Sequence, residues 1–341
     1  MTRESFQTLT NWFCHNKREF PWRENRTFYR VWVSEVMLQQ TRAEVVIPYF
    51  NKWMRLFPDI SALANAPLEK VIKCWEGLGY YSRARNLHQG AKELQALKTI
   101  PKTFEELKKI KGLGPYTIGA ILSFAYKKRA LAIDGNVLRV LSRFFLIDEP
   151  IDKPKTKNIL SALLEKHLPQ EKSWITSEAL IELGALVCKK TPDCGVCPMQ
   201  RGCLAKQKKK QHLLPVKEKK ISYIQEKRIA IILSCQDHYL VKKNEDKVMK
   251  DLYEFPFIQC EEENINKAQD WITSFIGEKS SFIEKFPKVS HTYTKYRIEL
   301  FPFLFLLEQR KEVSSYTWVC KKDLHKIPFS SGHKKIKERL F

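Results

Sequence analysis

Two carboxylates and four cysteines stand where chemistry could use them. Glu35 lies in VWVSEVMLQQTRAEVVIPYF, residues 31–50, which reads as a single amphipathic helix with Glu35 among Val33, Val36, Met37 and Leu38. Apolar surroundings disfavour the charged form of a carboxyl, so its pKa rises and it can keep a proton near neutral pH, as a general acid must. Pattern alone also allows a plain surface glutamate on the polar side of that helix. Asp134, in AIDGNVLRVLSR, falls in a loop before a helix for which Asn136 could serve as a cap. Asp134 taken by itself could equally be a helix-capping aspartate.

The cysteines are more pointed. Five of the nine are scattered (Cys14, Cys74, Cys235, Cys260, Cys320), whereas Cys188, Cys194, Cys197 and Cys203 crowd into CKKTPDCGVCPMQRGC. In a reducing compartment such crowding means metal rather than disulfides. Intervals of five, two and five residues suit either a tetrahedral zinc or a 4Fe–4S cluster.

These residues need elements to hold them. Residues 1–205 repeat helical patterns joined by short Gly- or Pro-marked turns, and no strand signal competes. Residues 206–220, KQKKKQHLLPVKEKK, are charged with little to bury and read as a linker. From 221 to 341 the period changes to alternating or apolar runs rich in aromatic and β-branched residues, with helices at NINKAQDWITSFI and GHKKIKERLF. The expectation is a multidomain chain: an all-α body followed by an α+β domain.

Within the body, FEELKKIKGLGPYTIGAILSFAY gives a helix ending at Lys111, a GLG turn, and a new helix opening at Pro115. Gly112 and Gly114 let the backbone approach an anion, and the helix N-terminus offers free N–H groups. An ordinary tight turn between helices would look similar. The chain carries 60 Lys and Arg against 38 Asp and Glu, a formal +22, which favours a polyanionic partner. A membrane is disfavoured by the absence of a long apolar run, and MTRESFQTLTNWF has neither signal nor transit character. A cytoplasmic protein is expected.

Together, GLGPYTIGA, IDGNVLRV and CKKTPDCGVCPMQRGC resemble the helix-hairpin-helix superfamily of DNA glycosylases that includes endonuclease III. PWR, VWVSEVMLQQT, GLGYYSRARNL and ELGALVC are closer still to the A/G-specific adenine glycosylases, the MutY family. The resemblance is dense over about residues 5–205 and thin beyond. It implies a monomeric, nucleoid-associated bacterial repair enzyme with a glycosylase domain over 1–205 (hairpin 107–125, cluster loop 188–203) and a Nudix-like domain over 221–341. Its substrate would be double-stranded DNA bearing adenine opposite 8-oxoguanine or G.

The resemblance also assigns roles. Glu35 would protonate the departing adenine and Asp134 would stabilise the sugar cation, with Asn136 and Tyr116 in support. Trp22, Arg23 and Glu178 would surround the extruded base, while Tyr80 and Gln40 enter the duplex. Gly112, Gly114, Arg83 and Arg85 would meet the backbone. One 4Fe–4S cluster per chain would sit on Cys188, Cys194, Cys197 and Cys203, although the KKTPD loop is one residue shorter than the family's common spacing. Bifunctional relatives carry a lysine where Tyr116 stands, so strand cleavage through a Schiff base is not expected.

In the second domain, KVSHTYTKYRIEL resembles the family's F-S-H loop, with Val289 in place of the aromatic and Ser290 and His291 retained to read 8-oxoguanine; a turn beside a strand is the plainer reading. DLYEFPFI carries Asp251 where the family has a glycine. No carboxylate-rich helix of the R-E-x-x-E-E type is present to hold magnesium for pyrophosphate hydrolysis. The rival functions are a bifunctional glycosylase-lyase for oxidised pyrimidines, which Tyr116 opposes, and a silent lesion-binding module, which the two carboxylates oppose.

Overall fold

The computed structural model describes residues 2–218, 222–246 and 248–341. Helical segments run α1 (Thr2–Asn16), α2 (Pro21–Glu24), α3 (Phe28–Leu38), α4 (Ala43–Leu56), α5 (Ile60–Asn65), α6 (Leu68–Trp75), α7 (Ser82–Gln95), α8 (Phe104–Leu107) and α9 (Pro115–Ala120), which continues as a π-helical turn over Ile121–Ala125. After it come α10 (Gly135–Phe144), α11 (Pro154–His167), α12 (Ser173–Leu186) and α13 (Leu204–Gln207). Residues 31–50 are therefore two helices, not one. α3 stops at Leu38, Gln40 turns at φ 57°, and α4 starts after Arg42. Likewise α8 ends at Leu107 rather than at Lys111, and turns fill the interval to the hairpin.

The chain divides into two compact units, Met1–Asn65 with Asn86–Lys220, and Ala66–Arg85 with Ile221–Phe341. Residues 66–85 were expected in the helical body, yet they group with the second unit. The expected linker also differs in part: Leu214 is buried and the Ile151 N–H donates to the Val216 carbonyl, so HLLPV is anchored in the first unit. Its last residues, Lys219 and Lys220, lie outside the described residues.

In the first unit α3 packs on α9 and its π-helical continuation, while α12 packs on that continuation and on α1 and α10. Phe6, Leu9, Leu141, Phe144, Leu180 and Leu183 belong to a core cluster of this unit beside the cysteine loop. Gly112, at φ 85°, turns the hairpin with a conformation few side chains tolerate. Gly184 lets α12 approach α10 closely, since a Cβ there would lie 2.6 Å from that of Asn136.

The second unit holds β1 (Ile224–Cys235), β2 (His238–Lys243), β3 (Tyr253–Glu254), β4 (Phe257–Cys260), α14 (Ile265–Ile276), β5 (Ser281–Lys285), β6 (Val289–Tyr293), β7 (Tyr296–Leu306), β8 (Thr317–Cys320) and α15 (Ser331–Lys337). β1 and β7 pair in parallel at the centre of the order β3-β2-β1-β7-β5, with β4 on β1, β6 on β7 and β8 on β2. The long strands bury side chains on both faces: Ile232 and Leu300 in one core, Ile231 and Phe305 in the other, which α14 covers.

Candidate active site

Glu35 sits on α3, a helix buried along most of its length, and is only 7% exposed. Its side chain lines a cavity of the first unit together with Trp22, Arg23, Tyr116, Asp134 and Glu178. The Tyr116 hydroxyl, from the first turn of α9, donates to Glu35 Oε2 at 2.5 Å. Burial raises the Glu35 carboxyl from 4.5 to about 7; the Tyr116 bond and Arg23 pull it down, while Asp134 and Glu178 push it up. The surface-glutamate alternative is thereby set aside, and the group can carry a proton at neutral pH.

Asp134 both caps and faces the cavity. Its Oδ1 accepts the Val137 N–H at 2.8 Å and its Oδ2 accepts from Asn136 Nδ2 at 2.8 Å. The cap of α10 is thus Asp134 itself, and Asn136 lies inside the helix rather than at its cap. Burial pushes the Asp134 carboxyl up, and the Val137 and Asn136 hydrogen bonds oppose that rise by favouring the anion. Arg139, which the sequence did not single out, fixes Asn136 from behind: it donates to Asn136 Oδ1 and to the Gly184 carbonyl, both at 2.8 Å, and to the Cys188 carbonyl at 2.8 Å.

The rest of the cavity is built on charge pairs and rings. Trp22 stacks on Phe20 with ring centroids 4.7 Å apart. Glu182, 1% exposed, accepts from Arg18 at 2.7 Å and from Arg23 at 3.0 Å, and Glu178 accepts from Arg26 at 2.8 Å. Arg18, Arg26 and Glu182 were missed in the sequence. The signal was there: α12, SWITSEALIELGAL, is an apolar helix with two glutamates four residues apart, the same mismatch that marked Glu35.

Gln40 and Pro115 border the same cavity. Gly114 has ordinary extended backbone and open space where a side chain would stand, so its contribution is access. Tyr80, Arg83, Arg85, Ser290 and His291 belong to the other unit. Tyr80 is 51% exposed at φ 47°. Arg83, expected to meet phosphate, is turned inward: its guanidinium donates to the Leu78 and Gly79 carbonyls, lies over Trp75, and is lowered to about 10 by burial. Arg85 is likewise engaged, donating to the Lys250 carbonyl at 2.8 Å. On β6 Ser290 faces solvent, while Val289 on the opposite face is 2% exposed in the core. Burial lowers His291 to about 4, so its ring is neutral at physiological pH.

The four loop cysteines line one cavity with Val140, Phe144, Leu183 and Val187. Among the described residues, no three or more His, Cys, Asp or Glu side chains are drawn together as they stand into a metal-binding group. The sulfurs are nonetheless supplied with donors. Arg143 points a guanidinium N–H at Cys188 Sγ at 3.3 Å, and backbone N–H groups bond Cys197 and Cys203. Burial pushes the Cys197 thiol up to about 12. Four thiols around an apolar cavity, with N–H groups aimed at sulfur, fit a thiolate-held cluster.

A helical hairpin stands beside one cavity that holds a buried acid and a second carboxylate, and likeness to known proteins gives the class of protein to which this fold belongs. Residues 33–166 match the HhH-GPD superfamily of base excision DNA repair proteins, and residues 228–339 match the NUDIX domain. The adenine DNA glycosylase of Buchnera aphidicola subsp. Schizaphis graminum is 30% identical over 97% of both chains. That of Homo sapiens is 38% identical over 61% of this chain and 40% of its own length. In fold, the helical part is similar to a thermostable thymine-DNA glycosylase (TM-score 0.54, 24% identity, 61% of this chain and 97% of that one) and to endonuclease III in a trapped covalent DNA intermediate (TM-score 0.52, 23%, 61% and 96%). The chain belongs to the adenine DNA glycosylase family, enzymes of base excision repair that hydrolyse N-glycosyl bonds in DNA.

Proposed function

We propose that the enzyme removes adenine lying opposite 8-oxoguanine or G in duplex DNA, as a monofunctional glycosylase that leaves an intact abasic strand. The observation that carries this reading is Glu35, a buried acid at about 7, sharing its cavity with Asp134. The extruded adenine lies between Trp22, Arg23 and Glu178, and protonated Glu35 gives its proton to the adenine N7 as the bond from C1′ to N9 lengthens. Positive charge grows on the sugar, where the Asp134 carboxylate, held by Asn136 and the α10 N-terminus, offsets it. Water then bonds to C1′ and gives up a proton to the Glu35 carboxylate, which restores the acid. Tyr116 orients Glu35 and supplies no amine, so no Schiff base forms.

The opposite base is read by residues 221–341. Ser290, exposed on β6, accepts from the N7–H that 8-oxoguanine carries and guanine lacks, with His291 beside it. Asp270 is the one acid in α14, and a magnesium-holding Nudix helix needs several, so this domain is a reader and not a hydrolase. Cys188, Cys194, Cys197 and Cys203 would hold one structural 4Fe–4S cluster and so anchor the loop bearing Lys189, Lys190 and Arg201. Gly112, Gly114 and the opening of α9 take a phosphate, while Gln40 and Tyr80 enter the duplex. The enzyme acts as a monomer in the bacterial cytoplasm, and bacterial relatives support the second half of that reading.

One assay tests the core of this reading. Duplexes with adenine opposite 8-oxoguanine, adenine opposite G, and thymine glycol are incubated with the protein and resolved with and without hot alkali. Cleavage of the two adenine duplexes only after alkali is expected. Strand breaks without alkali, or release from thymine glycol instead, would overturn it.

A further inference from the structure

Residues 66–85 carry Tyr80, the side chain proposed to enter the duplex, and they share a compact unit with Ser290 and His291. Bonds on both sides of Tyr80 tie this segment down. Before it, Lys73 Nζ donates to the Ile327 carbonyl at 2.9 Å and to Glu76 Oε2 at 2.7 Å, and Glu76 Oε1 accepts the Phe329 N–H at 2.8 Å. Beyond it, Arg85 donates to the Lys250 carbonyl at 2.8 Å and stands 3.6 Å from Asp251 Oδ2. Phe329 leads directly into α15, where a Cβ on Gly332 would lie 2.5 Å from the His291 ring, and Lys335 Nζ reaches the Ser290 carbonyl at 3.4 Å.

Asp251 makes this arrangement specific to the chain. Its backbone sits at φ 69°, a conformation that suits glycine, the residue expected at this place from the resemblance. Its Oδ2 is buried, with no hydrogen-bond partner among the described residues, and the Arg85 guanidinium is its salt-bridge partner. A side chain that adds backbone strain and buries a carboxylate atom does so here to face one arginine.

We propose that Asp251 is a positioning residue which, through Arg85, locks the Tyr80 turn onto the unit that reads the opposite base, so that recognition of 8-oxoguanine is transmitted to insertion at the duplex. The proposal rests on the reading of Ser290 and His291 given above. A turn held firmly at both ends moves with its support; without the Asp251 carboxylate its far end is held by the Arg85 bond to the Lys250 carbonyl alone and can lag behind it.

The test is Asp251→Gly, which relaxes the backbone while deleting the carboxylate, with Asp251→Asn as the shape-preserving control. Three readouts are taken on the full-length enzyme: melting temperature, single-turnover excision opposite 8-oxoguanine and opposite G, and fluorescence of a 2-aminopurine stacked beside the mispair, which brightens when Tyr80 disturbs the stack. For Asp251→Gly the melting temperature holds or rises and excision opposite G is retained. In both variants the preference for 8-oxoguanine falls by about fivefold, the lower edge of ordinary site-to-site coupling, and the lesion-specific brightening shrinks with it. Combined with Ser290→Ala, Asp251→Gly adds little, because both act on one path. An unchanged preference and unchanged fluorescence in both Asp251 variants, while Ser290→Ala does lower the preference, overturns the clasp alone. A preference untouched by Ser290→Ala removes the underlying reading and the proposal with it.

Discussion

The Tyr116 hydroxyl and the Glu35 carboxyl, 2.5 Å apart, pull in opposite senses. Burial lifts Glu35 to about 7, and the hydrogen bond from Tyr116, which favours the carboxylate, keeps it from going higher. Burial and the neighbouring Glu35 charge together drive the Tyr116 hydroxyl well above its usual range, so it stays a donor. The result is an acid poised to lose its proton near neutral pH.

Excision therefore falls as pH rises through about 7, because the ionised form has no proton to give. In Tyr116→Phe the bond favouring the carboxylate is gone, and the alkaline limb moves to higher pH even though the maximal rate drops. Single-turnover rates from pH 5 to 9 on one mispaired duplex measure this; a limb displaced to lower pH contradicts the assignment of the acid.

Glu35→Gln abolishes base release and keeps binding to mispaired DNA. It also changes stability in a pH-dependent way. With a folded pKa of about 7 against an ordinary 4.5, the folded state holds the extra proton between those values, so the parent loses stability as pH rises across that window. The loss is on the order of 3 kcal/mol. Glutamine does not titrate, and its melting temperature relative to the parent rises from pH 4.5 to pH 7. A constant offset across that range rules out the buried-acid account.

Purified without oxygen, the protein is expected to be yellow-brown with about four irons per chain. Arg143→Ala removes the guanidinium that reaches Cys188 Sγ and the Lys189 and Lys190 carbonyls, so absorbance near 400 nm, about where thiolate-to-iron bands fall, bleaches faster in air. Colourless protein with stoichiometric zinc overturns the choice of cluster.

Val289→Phe destabilises the second unit by about 1–3 kcal/mol, the ordinary result of overpacking, because Val289 is 2% exposed in the core under β6. Sequence resemblance alone suggests the opposite, an aromatic restored to a recognition loop and sharper preference for 8-oxoguanine. Thermal melting and the ratio of excision rates decide: a stable variant with a higher ratio shows that the strand can turn this residue outward.

The buried acid and the cysteine loop were legible because they violate the pattern around them. One carboxylate in a run of Val, Met and Leu, and four cysteines in sixteen residues, have few structural explanations. The break between α3 and α4 was not legible, since LQQTRAEVV contains no Gly or Pro and the left-handed turn falls on Gln40. β5 was missed because SFIEK is exposed at every position and carries no alternation. The inward turn of Arg83 depends on the Leu78 and Gly79 carbonyls, and a carbonyl's direction is settled by folding and not by composition. The grouping of residues 66–85 rests on Glu76, Lys73 and Arg85 reaching backbone more than 150 residues away, which no local window contains.

Asp134 holds α10 with one oxygen and Asn136 with the other. Asparagine caps a helix as well as aspartate does, whereas alanine costs about 1 kcal/mol. A single change to asparagine thus keeps the helix cap, at the cost of setting its amide against Asn136 Nδ2, and removes the charge on which the proposed turnover depends. Such a chain would shield the adenine from any other copy able to remove it. Inheritance of that allele beside a working one should raise the mutation rate above what half a dose of enzyme explains, while a null allele should not.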